Sequence, residues 1–371
     1  MSVALANVPG VSSAVTIGHG EDELLSAART GDGDAFRRLV APHLPVLHVH
    51  CYRMLGSYHD TEEAMQDVLL RAWRSLDTYQ GHAPLRHWLY RIATTTCLKV
   101  RSGRAKLPAS VAEIDYLEPY PDRLLDALPA DADPAAVAER RESVSLAFVS
   151  ALQLLPPTQR AVLIMRDVLA WRGDEVARLL DTSLAAVNSA LQRARATLRR
   201  TGGQTDGQAG GQAVDEAGSQ AGSTVGGQAV GQARGQAAST AASRPLDDAD
   251  RQLLAGFVDA WQRRDIDGLA ALLCHDVAMR MPPEPMEFFG RTAVVEFLAT
   301  VPAGGALETI RLAPTRANGQ PALAAFEAHA GGAWQPYGLM VFETDGDAIT
   351  TIVGFPRMRD RVMGAFAVPP P

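Results

Sequence analysis

Residues 201–243 constrain the architecture of this chain more than any other stretch, because they cannot contribute to a hydrophobic core. The segment reads TGGQTDGQAGGQAVDEAGSQAGSTVGGQAVGQARGQAASTAAS, in which GQA recurs and large apolar or aromatic side chains are missing. The little apolar surface that it could bury does not offset the entropy lost on ordering it. We therefore predict a flexible linker here, with separately folded blocks on either side.

A less marked change in composition divides the part of the chain before this linker into two blocks. Residues 107–134 are rich in Pro, Asp and Ala, which is typical of a connection between two folded units. The predicted organisation is a loose tail at 1–20, a first block at 21–106, a linker at 107–140, a second block at 141–200, the Gly/Gln/Ala linker at 201–245 and a third block at 246–368.

Composition excludes several classes of protein. The chain has 371 residues, is 47% hydrophobic and has a formal charge of -7, which fits folded domains and argues against a protein that coats nucleic acid nonspecifically. It has no long uninterrupted apolar window and no basic segment ahead of its weakly apolar start, so a cytoplasmic protein without a membrane span is expected. Three dispersed cysteines, Cys51, Cys97 and Cys274, fit buried reduced thiols better than disulfides or zinc ligands.

The second block contains two short helical series. Val176, Leu179 and Leu180 form the first apolar stripe, and a second stripe runs from Val187 to Leu198. Between them, Asp181 tolerates a left-handed turn and Ser183 can cap the next helix. This pattern predicts a helix-turn-helix.

The outward face of the second helix carries small, amide and basic side chains. Such residues can approach base edges, pair with bases or hold phosphates, whereas the alternative is a helical hairpin with a solvated basic face. The candidate DNA contacts are Ser183, Ala185, Asn188, Ser189, Gln192, Arg193 and Arg195.

The first block is predicted to be helical throughout, with breaks at Gly31–Gly33, Gly56–Ser57 and Gly81–His82. One of its helices is predicted to begin near Asp60 and Thr61 as capping residues and to carry an acidic face. Residues 71–106 include eight basic residues and one acidic residue, and the aromatic residues Trp88 and Tyr90 lie among them. That combination suits single-stranded nucleic acid, although Trp88 could equally belong to the core of an ordinary helix.

Three motifs in order resemble the ECF subfamily of bacterial sigma-70 factors. They are DTEEAMQDVLLRAWRSLDTY, LRHWLYRIATTTCL and LLPPTQRAVLIMRDVLAWRGDEVARLLDTSLAAVNSALQRARATL. In that family the first block is region 2, which docks on RNA polymerase and opens the promoter -10 element, and the second is region 4, which binds the -35 element. The chain departs from the family at Thr95 and Lys99, where Asn and Asp are common, and at Asp181, where glycine is frequent.

The resemblance implies a role for each set of residues. The candidate DNA contacts of the second block would bind the -35 element. The polymerase-binding residues would be Asp60, Glu62, Glu63, Gln66 and Asp67. The -10 contacts would be His87, Trp88, Arg91, Thr95, Lys99, Arg101 and Arg104. The implied partners are core RNA polymerase and promoter DNA, together with either an anti-sigma factor or an intramolecular contact with the third block.

The third block is predicted to be an α+β domain. Helical patterns around Phe257, in LAALL and in AVVEFLATV precede strands in ALAAFEAH, WQPYGLMVFETDGD and AITTIVGF, with a hairpin turn at Asp345–Gly346. Helices first and an antiparallel sheet after them make an α+β domain. The order, with HDVAMRMPPEPMEFFGRTAVVEFL, resembles SnoaL-like domains of the NTF2-like superfamily, in which a curved sheet encloses a pocket. We expect a tail domain that tunes a sigma factor; the rival hypothesis is an NTF2-like enzyme or ligand sensor that uses the helical part for targeting.

Two further clusters of polar residues are not expected to carry catalysis or to bind a metal. His275 and Asp276 are adjacent, and neighbouring residues of a strand point to opposite faces, which argues against a joint catalytic role. His43, His48 and His50 lack a further ligand, and Pro45 is expected to interrupt their helix. No cofactor, metal or catalytic residue is therefore predicted.

Overall fold

The fold of the protein is known from a computed structural model. The structure describes residues 19–104, 117–128, 143–204, 248–282, 284, 286–329, 333–356, 358 and 360–368. All but the last two residues of the predicted tail at 1–20, and most of the predicted Gly/Gln/Ala linker, lie outside the described residues, and residues 19 and 20 begin the first helix.

The first block is all helical, as predicted. Its helices are α1 (His19–Arg29), α2 (Gly33–Val40), α3 (Leu44–Leu55), α4 (Tyr58–Arg74) and α5 (Leu85–Arg104). Three breaks fall at the predicted glycines, and the clearest is Gly56. Its φ of 75° ends α3 in the left-handed conformation, and a Cβ there would lie 2.7 Å from the side chain of Gln153.

Two boundaries in this block differ from the predictions. Pro45 does not interrupt a helix but occupies the first turn of α3, where its missing N–H costs nothing. Helix α4 is capped by Ser57, whose Oγ accepts a hydrogen bond from Asp60 N at 3.1 Å, so the predicted caps Asp60 and Thr61 lie inside the first turn. Both of these side chains are buried as a result.

The second block and its connection contain α6 (Asp122–Asp126), α7 (Leu146–Gln153), α8 (Pro157–Leu163), a π-helical turn (Ile164–Val168), α9 (Gly173–Leu179) and α10 (Leu184–Gln204). Helix α10 runs to Gln204, so the first four residues of the predicted flexible linker are helical. One hydrophobic core joins the first and second blocks, with Leu89 and Ala93 of α5 in the same cluster as Ile164 and Val187.

The third block begins with α11 (Asp248–Arg263) and α12 (Ile266–Ala271), and continues as β1 (Leu273–Arg280), β2 (Glu287–Phe289), α13 (Arg291–Thr300), β3 (Ile310–Ala317), β4 (Gln320–Ala328), β5 (Trp334–Asp345), β6 (Ala348–Pro356) and α14 (Asp360–Ala365). The strand order is β2-β1-β6-β5-β4-β3. Three helices, three strands and the β5–β6 hairpin confirm the predictions. The sheet is not purely antiparallel, because β1 pairs with β6 in parallel.

Both faces of the sheet are buried, and alternate residues of β4 face two different cores. Leu323 and Ala325 pack with α11 and α13, whereas Ala322, Ala324 and Phe326 belong to a cluster that includes residues of the first block. The third block is thus packed directly against the helical part of the chain.

Candidate nucleic-acid interface and its contacts with the third block

The predicted helix-turn-helix is present, and the two residues proposed to shape its turn do so. Asp181 has a φ of 52°, the left-handed conformation expected for it. The Ser183 hydroxyl accepts a hydrogen bond from Ala186 N at 3.1 Å and caps α10. The helices cross closely, since a Cβ at Gly173 would lie 2.6 Å from Leu184 Cδ1.

The face of α10 opposite the core is open to solvent. Val187, Ala190, Leu191 and Ala194 are buried beneath it. Six of the seven candidate DNA contacts are exposed, namely Ser183, Ala185, Asn188, Ser189, Gln192 and Arg193. The residue types and their exposure suit entry into a major groove.

Arg195, the seventh candidate, differs from the other six because it is held by an acid. Its Nη2 lies 2.6 Å from Asp167 Oδ1 and its Nε lies 3.0 Å from Asp167 Oδ2, which is a bidentate ion pair. The two side chains are 25% and 10% exposed. The hydrogen bond to Asp167 is the main cause that raises the pKa of Arg195.

The basic helix α5 presents only part of the predicted set. Arg91 and Lys99 are exposed, while His87, Trp88 and Thr95 are half-buried. The Thr95 hydroxyl donates to Arg91 O at 2.8 Å. Arg104 is the last residue of α5.

Arg101 contradicts the prediction of a surface contact, because it is only 6% exposed. It lies one and two turns after Cys97 and Ala93, both fully buried, so it shares their inward face. Its charge suggested a surface position, whereas its helical spacing from Cys97 and Ala93 places it inward.

Aromatic residues of α5 pack against other elements. The Trp88 ring lies 5.6 Å from that of Tyr79, and the His87 ring lies 4.3 Å from that of Trp171 in the second block. The Trp171 ring also contacts Tyr90 at 5.2 Å. Burial, and then the charge of Arg86, lowers the pKa of His87, so a neutral ring is favoured at this junction.

The acidic face of α4 is smaller than predicted. Glu63, Gln66 and Asp67 are exposed, whereas Asp60 is only 6% exposed because α4 begins at Tyr58 rather than near residue 60. Glu62 is half-buried, and its Oε1 lies 2.7 Å from His48 Nε2.

A fully buried arginine that the sequence analysis missed joins the first and second blocks. Arg160 of α8 donates to Met54 O at 2.5 Å, to Leu152 O at 2.7 Å and to Gln153 Oε1 at 2.6 Å. Backbone carbonyls at the end of α3 and of α7 are thereby satisfied by one planar side chain. Only long-range packing distinguishes this arginine from a surface one, so the sequence carried no signal for it.

The β3–β4 turn of the third block is also buried against the helical part. Asn318, with a φ of 56°, is 0% exposed. Its N–H donates to Tyr120 O at 2.8 Å, its Oδ1 accepts from Tyr120 N at 2.7 Å, and its Nδ2 donates to Tyr52 Oη at 2.8 Å and to Val144 O at 2.6 Å. Hairpin turns usually face solvent, so the burial of this turn indicates a specific, closely packed interface between the third block and the helical part of the chain.

Further polar contacts surround this turn. Gly319 N donates to Asp122 Oδ1 at 2.7 Å, and Gln320 Oε1 accepts from Leu146 N at 3.1 Å. Arg316 forms an ion pair with Asp122 at 2.7 Å, and Arg123 donates to the carbonyl of Ala365. The described part of the connection between the first two blocks, residues 117–128, is thereby fastened to the third block.

The same turn connects to the acidic face through side chains. Tyr120 Oη lies 2.7 Å from His48 Nδ1, and the other ring nitrogen of His48 contacts Glu62. A chain of contacts therefore runs from Asn318 through Tyr120 and His48 to Glu62. Burial raises the pKa of Tyr120, which keeps its phenol neutral.

The interior of the third block is packed with apolar side chains. The Phe257 and Phe342 rings lie 5.2 Å apart between α11 and the sheet, and Trp261 Nε1 donates to Leu307 O at 3.0 Å. His275 and Asp276 are both exposed, and the β1–β6 register shifts between Leu273 and Ala278, the stretch that contains them.

The remaining candidate clusters separate in the structure. His50 Nε2 lies 2.9 Å from Thr94 Oγ1, whereas His48 contacts Tyr120 and Glu62. Within the described ranges, no group of three or more His, Cys, Asp or Glu residues is arranged to hold a metal ion. Cys51 and Cys97 are buried as expected, and Cys274 is half-buried.

None of the helices in the described part of the chain combines the length and apolarity needed to cross a bilayer.

Family models match all three blocks. Sigma-70 region 2 matches residues 39–106, sigma-70 region 4 matches residues 145–198, and the SnoaL-like domain matches residues 254–354. The fold and these matches define a sigma-70-type protein with an NTF2-like domain after region 4.

Whole-chain similarity narrows the class. The chain is 36% identical over 343 residues to the ECF RNA polymerase sigma factor SigG of Mycobacterium tuberculosis, covering 88% of this chain and 82% of the relative. It is 28% identical over 184 residues to the ECF RNA polymerase sigma factor SigW of Bacillus subtilis, covering 47% of this chain and 93% of SigW. The chain belongs to the ECF RNA polymerase sigma factors and carries a SnoaL-like domain.

The same three-block fold occurs in a solved structure. The crystal structure of the Mycobacterium tuberculosis extracytoplasmic function sigma factor SigJ aligns with a TM-score of 0.50 at 20% identity, covering 87% of this chain and 98% of SigJ. The likeness extends over helical and SnoaL-like parts together.

Proposed function

We propose that this protein initiates transcription by binding core RNA polymerase and directing it to promoters through regions 2 and 4. The observation that supports this most strongly is the exposed polar face of α10, held in a helix-turn-helix by Asp181 and Ser183. Its action would take place in the cytoplasm, where the polymerase works. The proposed units are the predicted ones, 21–106, 141–200 and 246–368.

The -35 element would be read by the exposed set on α10. Asn188 and Gln192 can form paired hydrogen bonds to bases, Arg193 can bind guanine or phosphate, and Ser183, Ala185 and Ser189 allow a close approach. We propose that the -10 element is bound by Arg91, Lys99 and Arg104, with His87, Trp88 and Thr95. Arg101 is left out because it faces the core.

The polymerase-binding surface would consist of Glu63, Gln66 and Asp67, with Glu62 at its edge. These are the members of the predicted acidic set that reach solvent, while Asp60 does not. Acidic residues on a rigid helix suit a basic docking site on a larger partner.

We propose that the SnoaL-like domain modulates this activity and has no catalytic role. Its apolar interior and the exposure of His275 and Asp276 support a non-catalytic domain. Asn318 binds the connection between regions 2 and 4 at Tyr120, so the domain can restrict how far the two DNA-binding regions separate. A sigma factor that binds two promoter elements at once needs its two DNA-binding regions to be able to separate.

Comigration with core RNA polymerase tests the polymerase-binding surface. The full-length protein should comigrate with the purified core enzyme on size exclusion, and Glu63→Lys combined with Asp67→Lys should abolish comigration. Glu296→Lys, an exposed acid on α13, is the matched control and should retain it. Failure of the wild-type protein to comigrate would instead favour the NTF2-like sensor hypothesis.

A further inference from the structure

The Asp167–Arg195 pair joins two elements of region 4 with different roles. Asp167 lies in the π-helical turn that follows α8, and Arg195 lies in the second half of α10. The π-turn is closed by Leu169 N donating to Ile164 O at 2.9 Å, a local widening that changes where the following side chains point. The pair therefore bridges the scaffold of the domain and its DNA-facing helix.

The position of Arg195 along α10 links the pair to the exposed polar face. Residues seven apart on an α-helix differ in direction by only about 20°, so Arg195 and Asn188 lie on one stripe of the helix. Gln192, four residues after Asn188, lies beside them. A contact that fixes the direction of Arg195 thus fixes the rotation of the whole stripe about the helix axis.

The geometry of the Asp167–Arg195 pair suits a brace, that is, a contact that holds α10 in a fixed rotation, better than a free DNA contact. Two of the three guanidinium nitrogens already bind the carboxylate, at 2.6 and 3.0 Å, and Asp167 is only 10% exposed. By contrast, Arg193 is exposed on the same helix. A bidentate, partly buried pair resists rotation in a way that an exposed i,i+4 pair does not.

We propose that Asp167 is a positioning residue for -35 recognition: it acts through Arg195 to set the rotation of α10, and thereby the aim of Asn188 and Gln192. This inference rests on the proposed function and removes Arg195 from the direct DNA contacts. Its consequence is that an acid in a DNA-binding domain increases affinity for a polyanion.

The effect of Asp167 on DNA affinity distinguishes a positioning role of this residue from a long-range electrostatic effect of its charge. Asp167→Asn removes a negative charge, and charge alone would then strengthen binding to DNA. Positioning predicts the opposite, a weaker complex. Direct phosphate contact by Arg195 predicts that Arg195→Gln lowers the slope of log K against log salt concentration by about 0.9, whereas a brace leaves the slope unchanged.

The test is a double-mutant cycle in the full-length protein bound to core RNA polymerase. The DNA is a promoter recovered by run-off transcription on genomic fragments, and the readouts are closed-complex affinity and its salt slope. We expect Asp167→Asn and Arg195→Gln each to weaken binding about three- to tenfold, and the double variant to be no weaker than either single one. Base preference at the -35 positions should broaden in parallel.

Controls keep the outcomes distinct. Comigration with core polymerase, which is assigned to region 2, shows that region 2 of each variant is folded, whatever the effect on region 4. Asp259→Asn, which removes the acid of the exposed Asp259–Arg263 pair on α11, should change nothing. If Asp167→Asn leaves binding unchanged or strengthens it while Arg193→Ala weakens it, the positioning role is wrong and the proposed function stands. If Arg193→Ala and Asn188→Ala also have no effect, the proposed DNA interface itself is wrong.

Discussion

Asn318 and Tyr120 form two backbone-directed hydrogen bonds with each other, at 2.8 and 2.7 Å, although they lie 198 positions apart in the chain. One belongs to the SnoaL-like domain and the other to the connection between regions 2 and 4. The pairing adds that connection to the free edge of the sheet, next to β3, where Pro121 bridges Ala317. A regulatory domain and the segment that sets the reach of the two DNA-binding regions therefore share one interface.

Asn318→Gly should loosen this interface while keeping the left-handed turn. Glycine adopts the φ of 56° without strain, but the variant loses the side-chain hydrogen bonds to Tyr120, Tyr52 and Val144, at about 1 kcal/mol each. Hydrogen exchange should accelerate at the Tyr120 amide. Asp347→Gly, in the exposed β5–β6 turn, is the control; equal protection of Tyr120 in wild type and Asn318→Gly would contradict the interface.

Arg193→Ala should weaken binding to the -35 element. A base contact would cost about 1–3 kcal/mol and relax selectivity at one position, and a phosphate contact would reduce the salt slope by about one. Affinity titrations of the holoenzyme at several salt concentrations measure both. Arg263→Ala, an exposed arginine on α11, should be neutral. Unchanged affinity and slope in Arg193→Ala would place this face away from DNA.

Trp88→Ala should impair promoter opening more than closed-complex binding. Trp88 is half-buried beside Tyr79 and lies next to the exposed basic side chains of α5. Stacking of an unpaired DNA base on an aromatic ring contributes about 1–3 kcal/mol. Permanganate reactivity of thymines near -10 reports opening, and Trp88→Phe should restore part of it. Equal opening at matched occupancy would assign Trp88 to the core alone.

His50→Gln should flatten the acid dependence of stability. Burial, and then the charge of Arg53, lowers the pKa of His50 to about 3, below the ordinary 6.5 that applies when the chain is unfolded. Between these values the unfolded state binds the extra proton, so stability falls as pH drops from 6.5 towards 3. At pH 5 the loss is about 2 kcal/mol relative to neutral pH.

Denaturant unfolding at pH 7 and pH 5 measures this loss. The glutamine side chain of the variant can keep a hydrogen bond to Thr94 and does not titrate, so the variant should lose less stability between the two pH values than the wild type does. His82→Gln, an exposed histidine in the loop before α5, should behave like the wild type. An identical drop in wild type and His50→Gln would show that His50 is not kept neutral by the fold.

Local signals in the sequence were sufficient for the helix-turn-helix. Asp181 and Ser183 act within a few residues of their own position, so the turn and the cap could be predicted from residue type and spacing. The strands of the SnoaL-like domain with alternating patterns were predicted for the same reason. By contrast, β2 and β3 were missed, and the parallel β1–β6 pairing depends on contacts between distant segments.

The burial of single charged or polar residues was harder to predict. Asp60 was assigned to an acidic face because the start of α4 was placed near residue 60, whereas Ser57 caps this helix. Arg101 shares the inward face of Cys97 despite the basic run around it. Asn318 and Arg160 are defined by partners in other blocks, and no local pattern encodes such partners.

Run-off transcription on a library of genomic fragments tests the central claim most directly. Full-length protein with core RNA polymerase should yield discrete transcripts that core enzyme alone does not make, and the aligned start regions should share two elements at a fixed spacing. Asn188→Ala combined with Gln192→Ala should remove those transcripts while comigration with core persists. If the full-length protein comigrates with core polymerase but yields no discrete transcript from any fragment, the protein does not function as the initiation factor described here.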